Sequence, residues 1–368
     1  MRLLRFRANS FRNIESCDIT FSPGVQLLSG DNAQGKTNAV EGIYLFARGR
    51  SFRSATDKDM VKFGSDGFSL GIEYEDKDGV HSLEYTFYKG QRKRKKNGYE
   101  VKRITDTLGQ FRAVLFTPDH LRLVKDSPEE RRAFLNIAIS QCYPVYIGLY
   151  ADFKRAQDER NCLLKLMQKG LSCDMAELEA WSLSLAKYSS EIYKFRKEYI
   201  DRLTAYAAPI LSDMTDGEEQ LSLTYKTSVE DGCTSLEKIV DQYRDIFRRD
   251  VDREIAAGTT LFGPAREDME IQVNGKSARQ FASQGQQRSV VLALKHAEGD
   301  VCRDVCGEYP VYILDDVLSE LDERRRTFLM KNSKDKQMII TGCDSRSPLY
   351  EGAGVIRVEK GTYVSSHR

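Results

Sequence analysis

Residues 30–37 carry two glycines, a lysine and a threonine at the spacing G-x-x-x-x-G-K-[ST], the pattern of a phosphate-binding loop, or P-loop. Backbone N–H groups of such a loop point at phosphate oxygens, the lysine reaches the β- and γ-phosphates, and the hydroxyl takes a place on Mg²⁺. A glycine-rich turn without a ligand is the alternative for this motif alone. The sequence predicts a nucleotide site formed by Gly30, Asp31, Asn32, Ala33, Gln34, Gly35, Lys36 and Thr37.

An acidic pair, Asp315 and Asp316, follows the apolar residues 311–314. Two carboxylates after a buried strand could simply cap the next helix. Together with a P-loop they match a Walker B motif, in which Asp315 holds Mg²⁺ through water and Asp316 polarises the attacking water. Because Asp is shorter than the Glu often used at the second position, we expect slow hydrolysis.

A polar segment, residues 283–287 with the sequence Ser-Gln-Gly-Gln-Gln, precedes a helix predicted over residues 290–297. Such a segment is usually only a cap, yet a hydroxyl, a glycine and backbone donors at a helix N-terminus also suit an anion. It occupies the position of the ABC ATPase signature motif, and residues 319–322 follow in the position of the D-loop. The order of these motifs predicts an α/β P-loop NTPase of the ABC type that binds ATP with Mg²⁺.

A single P-loop and a single signature motif imply a partner. In ABC-type ATPases, the signature motif of one copy meets the γ-phosphate held by the P-loop of another. Two-fold self-association would therefore give two composite sites from this one sequence. We expect Ser283, Gly285 and Gln286 to act in trans, with Ser283, Lys36 and Asp316 as the catalytic candidates.

Short strands and one helix are expected to position these motifs. Glycines and acidic or amide residues separate the strand patterns over residues 3–8, 17–21, 25–29, 68–74, 83–88 and 113–116. A helix is expected from Gly35 to Ala47, directly after the P-loop. Further buried strands are expected at residues 311–314 and 338–340.

The middle of the chain has a helical pattern instead. Apolar residues recur at spacings of three and four over residues 146–167 and 178–206, which predicts an antiparallel helix hairpin. Pro209 is expected to end the second helix of this hairpin. A strand at residues 221–225 and a helix at residues 236–251 are expected to follow.

Length and composition bound this organisation. A chain of 368 residues is expected to form about two domains. We predict an ABC-type head built from both chain ends, residues 1–120 and 255–368, with an inserted, mainly helical lobe over residues 121–254. No apolar run is long enough to span a bilayer or serve as a signal peptide, so we expect a cytoplasmic protein without a membrane partner. The eight cysteines are scattered, so we expect no cysteine metal site.

The net charge is only +1, so any DNA-binding surface must be a local patch. Five consecutive basic residues, 92–96, precede Asn97-Gly98 and are expected to project from a hairpin tip. They would either contact DNA phosphates or simply be solvated. The three arginines at residues 324–326 follow the D-loop, and surface charge on a helix is the simpler explanation for them.

The combined motifs resemble the RecF family of bacterial recombination mediators, which is related to the SMC-type ATPases. The resemblance covers nearly the whole chain and is carried by residues 9–13 (NSFRN), 30–38 (GDNAQGKTN), 126–132 (DSPEERR), 263–268 (GPARED), 283–289 (SQGQQRS) and 314–322 (LDDVLSELD). It implies that Arg12, Asn13 and Asn38 also contact the nucleotide.

This resemblance further implies an ATP-dependent homodimer that binds DNA at single-strand gaps, duplex junctions and stalled forks. It also implies weak, DNA-stimulated ATP hydrolysis that acts as a switch, and work with RecO and RecR to load a recombinase. Two departures from the family pattern stand out. Ala265 replaces a usual His, and residues 116–119 occupy the Q-loop position without a Gln. Thr117 and Asp119 are therefore the candidates there for contact with the metal or its water.

Two other classes of protein share several of these motifs. The ATPase subunit of a membrane transporter is the alternative function, but such subunits lack the helical stripe of residues 178–206 and have signatures nearer to LSGGQ. A structural SMC-like ATPase needs arms of several hundred residues, which do not fit in this chain.

Overall fold

The structure of the chain, a computed structural model, describes residues 1–171, 174–230, 232–233, 235–343, 350 and 352–366. The chain forms two units. The first unit comprises Met1–Leu121, Tyr206–Glu219 and Ser283–Arg368, and the second comprises Arg122–Ala205 and Gln220–Ala282.

The described chain contains the following strands and helices. The strands are β1 (Arg2–Phe11), β2 (Ile14–Thr20), β3 (Val25–Ser29), β4 (Gly67–Asp76), β5 (Gly79–Tyr88), β6 (Gln91–Lys96), β7 (Tyr99–Val101), β8 (Ala113–Phe116), β9 (Leu221–Lys226), β10 (Asp268–Val273), β11 (Lys276–Ser277), β12 (Val311–Leu314), β13 (Met338–Gly342), β14 (Gly354–Glu359) and β15 (Thr362–Ser366). The helices are α1 (Lys36–Arg48), α2 (Asp57–Met60), α3 (Arg122–Lys125), α4 (Pro128–Cys142), α5 (Val145–Gln168), α6 (Met175–Met214), α7 (Leu236–Arg249), α8 (Val251–Ala257), α9 (Ala278–Phe281), α10 (Gln284–Cys306) and α11 (Glu323–Lys331).

The first unit contains two six-stranded sheets. One is antiparallel, in the order β2-β1-β4-β5-β6-β7, and the other has the order β15-β14-β3-β13-β12-β8 with parallel pairs from β14 to β8. The buried residues of β1 are Leu3, Phe6, Ala8 and Phe11, and the pairing of β1 with β4 shifts register between Leu3 and Arg5. Helix α1 is buried on nearly all sides, and its side chains join those of both sheets in one apolar core.

The second unit is built around two long helices. Helices α5 and α6 run antiparallel, since Arg160, late in α5, donates to Ser182, early in α6, at 2.8 Å, while the rings of Tyr146 and Phe195 pack 5.6 Å apart. The guanidinium of Arg160 is fully buried and pairs with Glu254 of α8 at 2.6 Å. The attraction between the two buried charges offsets the large free-energy cost of removing them from water.

Two of the sequence motifs meet inside the second unit. Arg131, from residues 126–132, forms two hydrogen bonds of 2.7 and 2.8 Å to the carboxylate of Asp268, from residues 263–268. Arg131 also donates to the carbonyls of Leu123 and Asp126. The ion pair between Arg131 and Asp268 therefore gives both motifs a structural role, because it connects them within this unit.

The boundaries of the two units differ from the predicted domain limits. Residues 255–282 belong to the second unit, although the sequence assigned them to the head. The reason is strand pairing, because β10 pairs with β9 along its whole length. Residues 206–219, at the end of α6, belong instead to the first unit.

The expected helix stop at Pro209 is wrong. Helix α6 continues past this proline to Met214. The pyrrolidine ring lies on the exposed side, while Ala207, Leu211 and Met214 are buried. Burial of these apolar side chains stabilises the last turn despite the hydrogen bond that proline cannot form.

Candidate nucleotide site

The P-loop and the acidic pair meet at one edge of the parallel sheet. Strand β3 precedes the P-loop, β12 precedes Asp315, and β13 lies between them with parallel pairing to both. Because parallel strands all end at the same edge, the segments that follow β3, β12 and β13 come together there. The structure thus brings together two of the motifs from which the sequence predicts a nucleotide site.

Glycines at both ends of the P-loop allow close backbone contacts. A Cβ added to Gly30 would lie 2.2 Å from the carbonyl oxygen of Val358. Gly35 has a φ of 116°, and a Cβ there would lie 2.9 Å from Oδ1 of Asn13. Helix α1 begins directly after Gly35, so its free N–H groups point into the loop. Nζ of Lys36 donates to the carbonyls of Gly30 and Asp31 at 2.5 and 2.8 Å.

The turn between β14 and β15 holds the P-loop from outside. The backbone N–H groups of Gly361 and Lys360 donate to the backbone and side-chain oxygens of Gln34 at 2.9 and 2.7 Å. The hydroxyl of Tyr363 donates to the carbonyl of Gly35 at 2.9 Å. Three hydrogen bonds thus fix the last turn of the loop before α1.

Two hydroxyls converge on the buried carboxylate of Asp315. Thr37 and Thr341 donate to Oδ1 at 3.0 and 2.9 Å. Burial raises the pKa of Asp315, and these two hydrogen bonds only partly oppose the effect. A hydroxyl and a carboxylate are the hard oxygen ligands that Mg²⁺ prefers, so this donor set fits the predicted metal.

Asp316 turns away from the core directly after Asp315. Its φ is 55°, which is uncommon for any residue but glycine. The N–H of Asp316 donates to Thr341 at 2.9 Å, and Ser319 donates to its carbonyl at 2.8 Å. These bonds hold the turn, and they leave the Asp316 side chain exposed at the cavity.

A cavity of about 560 Å³ connects these groups. It is lined by Asn13, Asn32, Ala33, Gly35, Lys36, Thr37, Asn38, Phe52, Arg53, Thr117, Pro118, Asp119, Asp315, Asp316 and Thr341. This set includes half of the predicted nucleotide-binding residues, and both candidates from the Q-loop position. Thr117 is held by His120, whose Nδ1 accepts from the Thr117 N–H at 2.9 Å.

Some predicted residues lie elsewhere. Arg12 pairs with the buried carboxylate of Glu41 through bonds of 2.9 and 2.7 Å, and it does not line the cavity. Within the described chain, no residue of 283–287 lines it either. Ser283 instead caps α10, because its hydroxyl accepts from the Gln286 N–H at 3.2 Å, and the Gln286 side chain accepts from the Ser283 N–H at 2.9 Å.

Four residues that shape the site lie outside every motif predicted to form it: Thr341, Arg53, Phe52 and Tyr363. A signal existed only for Thr341, which follows the buried run at residues 338–340 and so had to emerge at the same edge as Asp315. Arg53 donates to Asn38 at 3.1 Å, but no motif marks it.

The basic run at residues 92–96 does not project from a hairpin tip, and that expectation is wrong. The run forms most of β6, and the tip is the turn at Asn97-Gly98. Arg92 pairs with Asp57, Arg94 packs over the ring of Tyr85, Lys95 pairs with Glu84 and Lys96 donates to Gln110. Within the described chain, only Lys93 of the five lacks such a partner. DNA contact by this run stays a prediction.

The fold and the site together define an ABC-type ATPase head. The family model for the RecF/RecN/SMC N terminal domain matches residues 2–360. A solved structure of an SMC head bound to the C-terminal winged-helix domain of ScpA aligns with a TM-score of 0.60 at 16% identity, over 100% of this chain and 97% of that chain. That likeness shows the shared fold.

Relatives with higher sequence identity show to which family of ABC-type ATPases the chain belongs. The DNA replication and repair protein RecF of Geobacillus thermodenitrificans is 36% identical over 98% of this chain and 99% of its own length, and that of Lacticaseibacillus paracasei is 35% identical over the same shares. A solved structure of the recombination mediator protein RecF with ATP, in the RecFOR pathway, aligns with a TM-score of 0.92 at 28% identity, over 100% of this chain and 98% of that one. The chain belongs to the RecF family of DNA replication and repair proteins.

These matches favour the RecF interpretation over the ATPase subunit of a membrane transporter. Among the helices that the structure describes, none combines the length and hydropathy of a membrane span.

Proposed function

We propose that this chain is an ATP-switched DNA-binding homodimer, in which the P-loop cavity of one copy and the signature segment of the other enclose each ATP. One observation carries the proposal. Ser283 and Gln284 are exposed at the start of α10, Gly285 and Gln286 are half-buried, and within the described chain no residue of 283–287 lines the cavity that Lys36, Thr37 and Asp315 share. A second copy would supply that missing wall, as two-fold symmetry allows.

Each residue of the site has a role in this proposal. Lys36 and the N–H groups at the start of α1 bind phosphate oxygens. Thr37 and Asp315 would hold Mg²⁺, which neutralises phosphate charge when bound. Asp316 orients the attacking water, and Ser283 of the second copy contacts the γ-phosphate. The ATPase head consists of the motif-bearing chain ends, and the inserted helical lobe lies between them in sequence.

The proposed partner proteins are inferred from the related proteins. Since the solved RecF structure with ATP belongs to the RecFOR pathway, we propose that this chain works in the cytoplasm with RecO and RecR. It would bind gapped DNA and help to load a recombinase, while slow, DNA-stimulated hydrolysis resets the dimer. Contacts to phosphates would make DNA binding fall steeply with salt.

Sedimentation velocity with ATP or ADP, with and without gapped duplex DNA, tests the proposal. We expect a dimer with ATP and Mg²⁺, a monomer with ADP, and tighter DNA binding by the dimer. Lys36→Ala should abolish nucleotide binding, and Asp316→Asn should retain an ATP-bound dimer because hydrolysis is blocked. A monomer at every nucleotide and protein concentration tested would overturn the proposal.

Mixing two inactive variants tests the shared site directly. Lys36→Ala keeps the signature segment, and Ser283→Arg keeps the P-loop. A mixed dimer has one complete site, so an equal mixture should recover about a quarter of wild-type hydrolysis. If each site lies within one chain, the mixture should stay as inactive as its components.

A further inference from the structure

The three arginines at residues 324–326 do not share one role. Arg324 is a surface residue whose side chain is 55% exposed and pairs with Asp216 at 2.7 Å. The Arg325 side chain is only 19% exposed and points in the other direction, toward α10. The expectation of plain surface charge therefore holds for Arg324 and is wrong for Arg325.

Arg325 connects the first turn of α11 to the first turn of α10. Nη2 donates to the carbonyl of Gly285 at 2.9 Å and to the hydroxyl of Ser289 at 2.7 Å, and Nε donates to the same hydroxyl at 2.9 Å. Nη1 pairs with Asp322, which also caps α11 by accepting from the Arg325 backbone N–H at 2.9 Å. One planar guanidinium thus reaches the signature segment and the D-loop together.

A second ion pair runs beside this connection. Arg288 of α10 pairs with Glu320 of the D-loop at 2.9 Å. The pair is more exposed than Arg325, so it is expected to contribute less to rigidity. Because the fork of Arg325 fixes its acceptors in one plane, Arg325 is the stronger of the two connections.

We infer that Arg325 is a positioning residue that holds the signature segment and the D-loop as one rigid block for presentation to the ATP of a second copy. The inference rests on the proposed function, and it adds a residue that touches no nucleotide itself. Gly285 has no side chain with which to fix its own backbone, so the guanidinium supplies that constraint from α11. Without the Arg325 guanidinium, the signature segment and the D-loop would have to become ordered during dimerisation. This ordering would cost binding free energy and weaken the dimer.

The test uses full-length Arg325→Met, with Arg324→Met as the matched control on the same helix. Methionine keeps an unbranched side chain and removes all five donors. We expect Arg325→Met to bind a fluorescent ATP analogue as tightly as the wild type, since the P-loop is unchanged. We also expect its ATP-dependent dimer to dissociate about tenfold more readily in sedimentation, while Arg324→Met stays within about twofold of the wild type.

Mixing experiments assign the defect to one half of the composite site. Arg325→Met mixed with Lys36→Ala should recover hydrolysis, because the complete site takes its P-loop from the former and its signature from the latter. Arg325→Met mixed with Ser283→Arg should show no more hydrolysis than Arg325→Met alone, because both signature segments are then impaired. Recovery in both mixtures would overturn the inference.

Two further results keep the test decisive. Arg325→Met could lower the melting temperature more than Arg324→Met does, and a second variant is then used. Ser289→Ala removes two of the guanidinium hydrogen bonds and keeps the arginine. It should weaken the ATP-dependent dimer in the same direction as Arg325→Met. If the wild type and Arg325→Met dimerise equally well with ATP, the inference about Arg325 is refuted and the proposed function is not. A wild type that never dimerises refutes the proposed function.

Discussion

The hydroxyl of Thr37 and Oδ1 of Asp315 lie 3.0 Å apart, although 278 positions separate them in the chain. Thr341 donates to the same oxygen at 2.9 Å. The hydroxyl of the P-loop and the carboxylate after β12 therefore form one preformed oxygen cluster. Burial raises the pKa of Asp315, so the folded chain maintains a charged group there at a cost in stability.

Asp315→Asn should separate stability from metal binding. The raised pKa in the folded state means that the charged carboxylate costs stability above that pKa, and that the cost vanishes below about the ordinary value of 3.8. Near neutral pH, we expect Asp315→Asn to melt at least as high as the wild type, by about 2–4 °C for each kcal/mol relieved. Mg²⁺-dependent binding of ATP should weaken about tenfold or more.

Thermal unfolding and nucleotide titration on Asp315→Asn measure the two effects, with the exposed Asp66→Asn as control. The difference in melting temperature between Asp315→Asn and wild type should shrink as the pH falls toward 4. A variant that is less stable than the wild type at neutral pH, with Mg²⁺-dependent binding intact, would contradict the assignment of Asp315.

Tyr363→Phe should weaken nucleotide binding without unfolding the protein. The lost hydroxyl leaves the carbonyl of Gly35 without one of its donors, and the P-loop turn before α1 becomes less fixed. A neutral hydrogen bond contributes about 1 kcal/mol, which corresponds to roughly a fivefold rise in the dissociation constant for ATP. Titration with a fluorescent ATP analogue measures this change.

The exposed tyrosine at position 99 provides the control for that substitution. Tyr99→Phe removes the same hydroxyl from β7, outside the cavity, and should leave ATP affinity unchanged. Equal affinities for all three proteins would show that the Tyr363 hydroxyl does not position the P-loop.

Elements whose physics is local were predictable from the sequence. Strands β3 and β8 have the predicted bounds. Both are short apolar runs between turn residues, which is the pattern of a strand buried on both faces of a parallel sheet. The start of α1 follows from Gly35 and the P-loop motif in the same way. Those motifs also identified most residues of the cavity.

Features that depend on distant parts of the chain were not predictable. Helix α6 passes Pro209 because the residues beyond it are buried, which local propensity does not show. The basic run at residues 92–96 forms a strand because its backbone pairs with β5 and β7, and four of its five side chains also contact partners. Tyr363 reaches the site only through the pairing of β14 with β3 and β15, and its residue type marks no function in the sequence.

Arg131→Met should destabilise the second unit and leave nucleotide binding intact. The substitution leaves the carboxylate of Asp268 without its two hydrogen bonds, and Arg131 is itself only 5% exposed. Removing one partner of a buried ion pair costs about 3–5 kcal/mol. Urea unfolding should therefore show an earlier transition, while Arg122→Met, at an exposed position, should change little.

A double variant distinguishes the ion pair from simple loss of packing. Arg131→Met combined with Asp268→Leu removes both charges, so its destabilisation should be smaller than the sum of the two single effects. Additive effects would indicate that the two side chains act independently, and the connection between the two motifs would then lose its energetic basis.

Lys336 lies in a cluster of titratable groups behind β13. Its Nζ is 3.2 Å from Nε2 of His296, and it lies over the rings of Tyr309 and Tyr312 at 4.7 and 5.3 Å. Burial lowers the pKa of Lys336 to about 8; the nearby carboxylate of Asp300 opposes this shift, and the guanidinium at position 303 adds to it. The folded protein therefore holds a proton there less tightly than an unfolded chain does.

Lys336→Met should consequently stabilise the protein in a pH-dependent way. The charged lysine costs stability at every pH below about 8, and this cost is relieved as the pH rises toward its ordinary pKa of 10.5. Methionine has no charge to bury, so the melting temperature of Lys336→Met should exceed that of the wild type near pH 7, and the gap should narrow between about pH 8 and 10. Calorimetry at several pH values, with the exposed Lys334→Met as control, measures the gap. A constant gap would mean that the hydrogen bond to His296 cancels the cost of burying the ammonium group, and a gap that widens with pH would mean that it outweighs this cost.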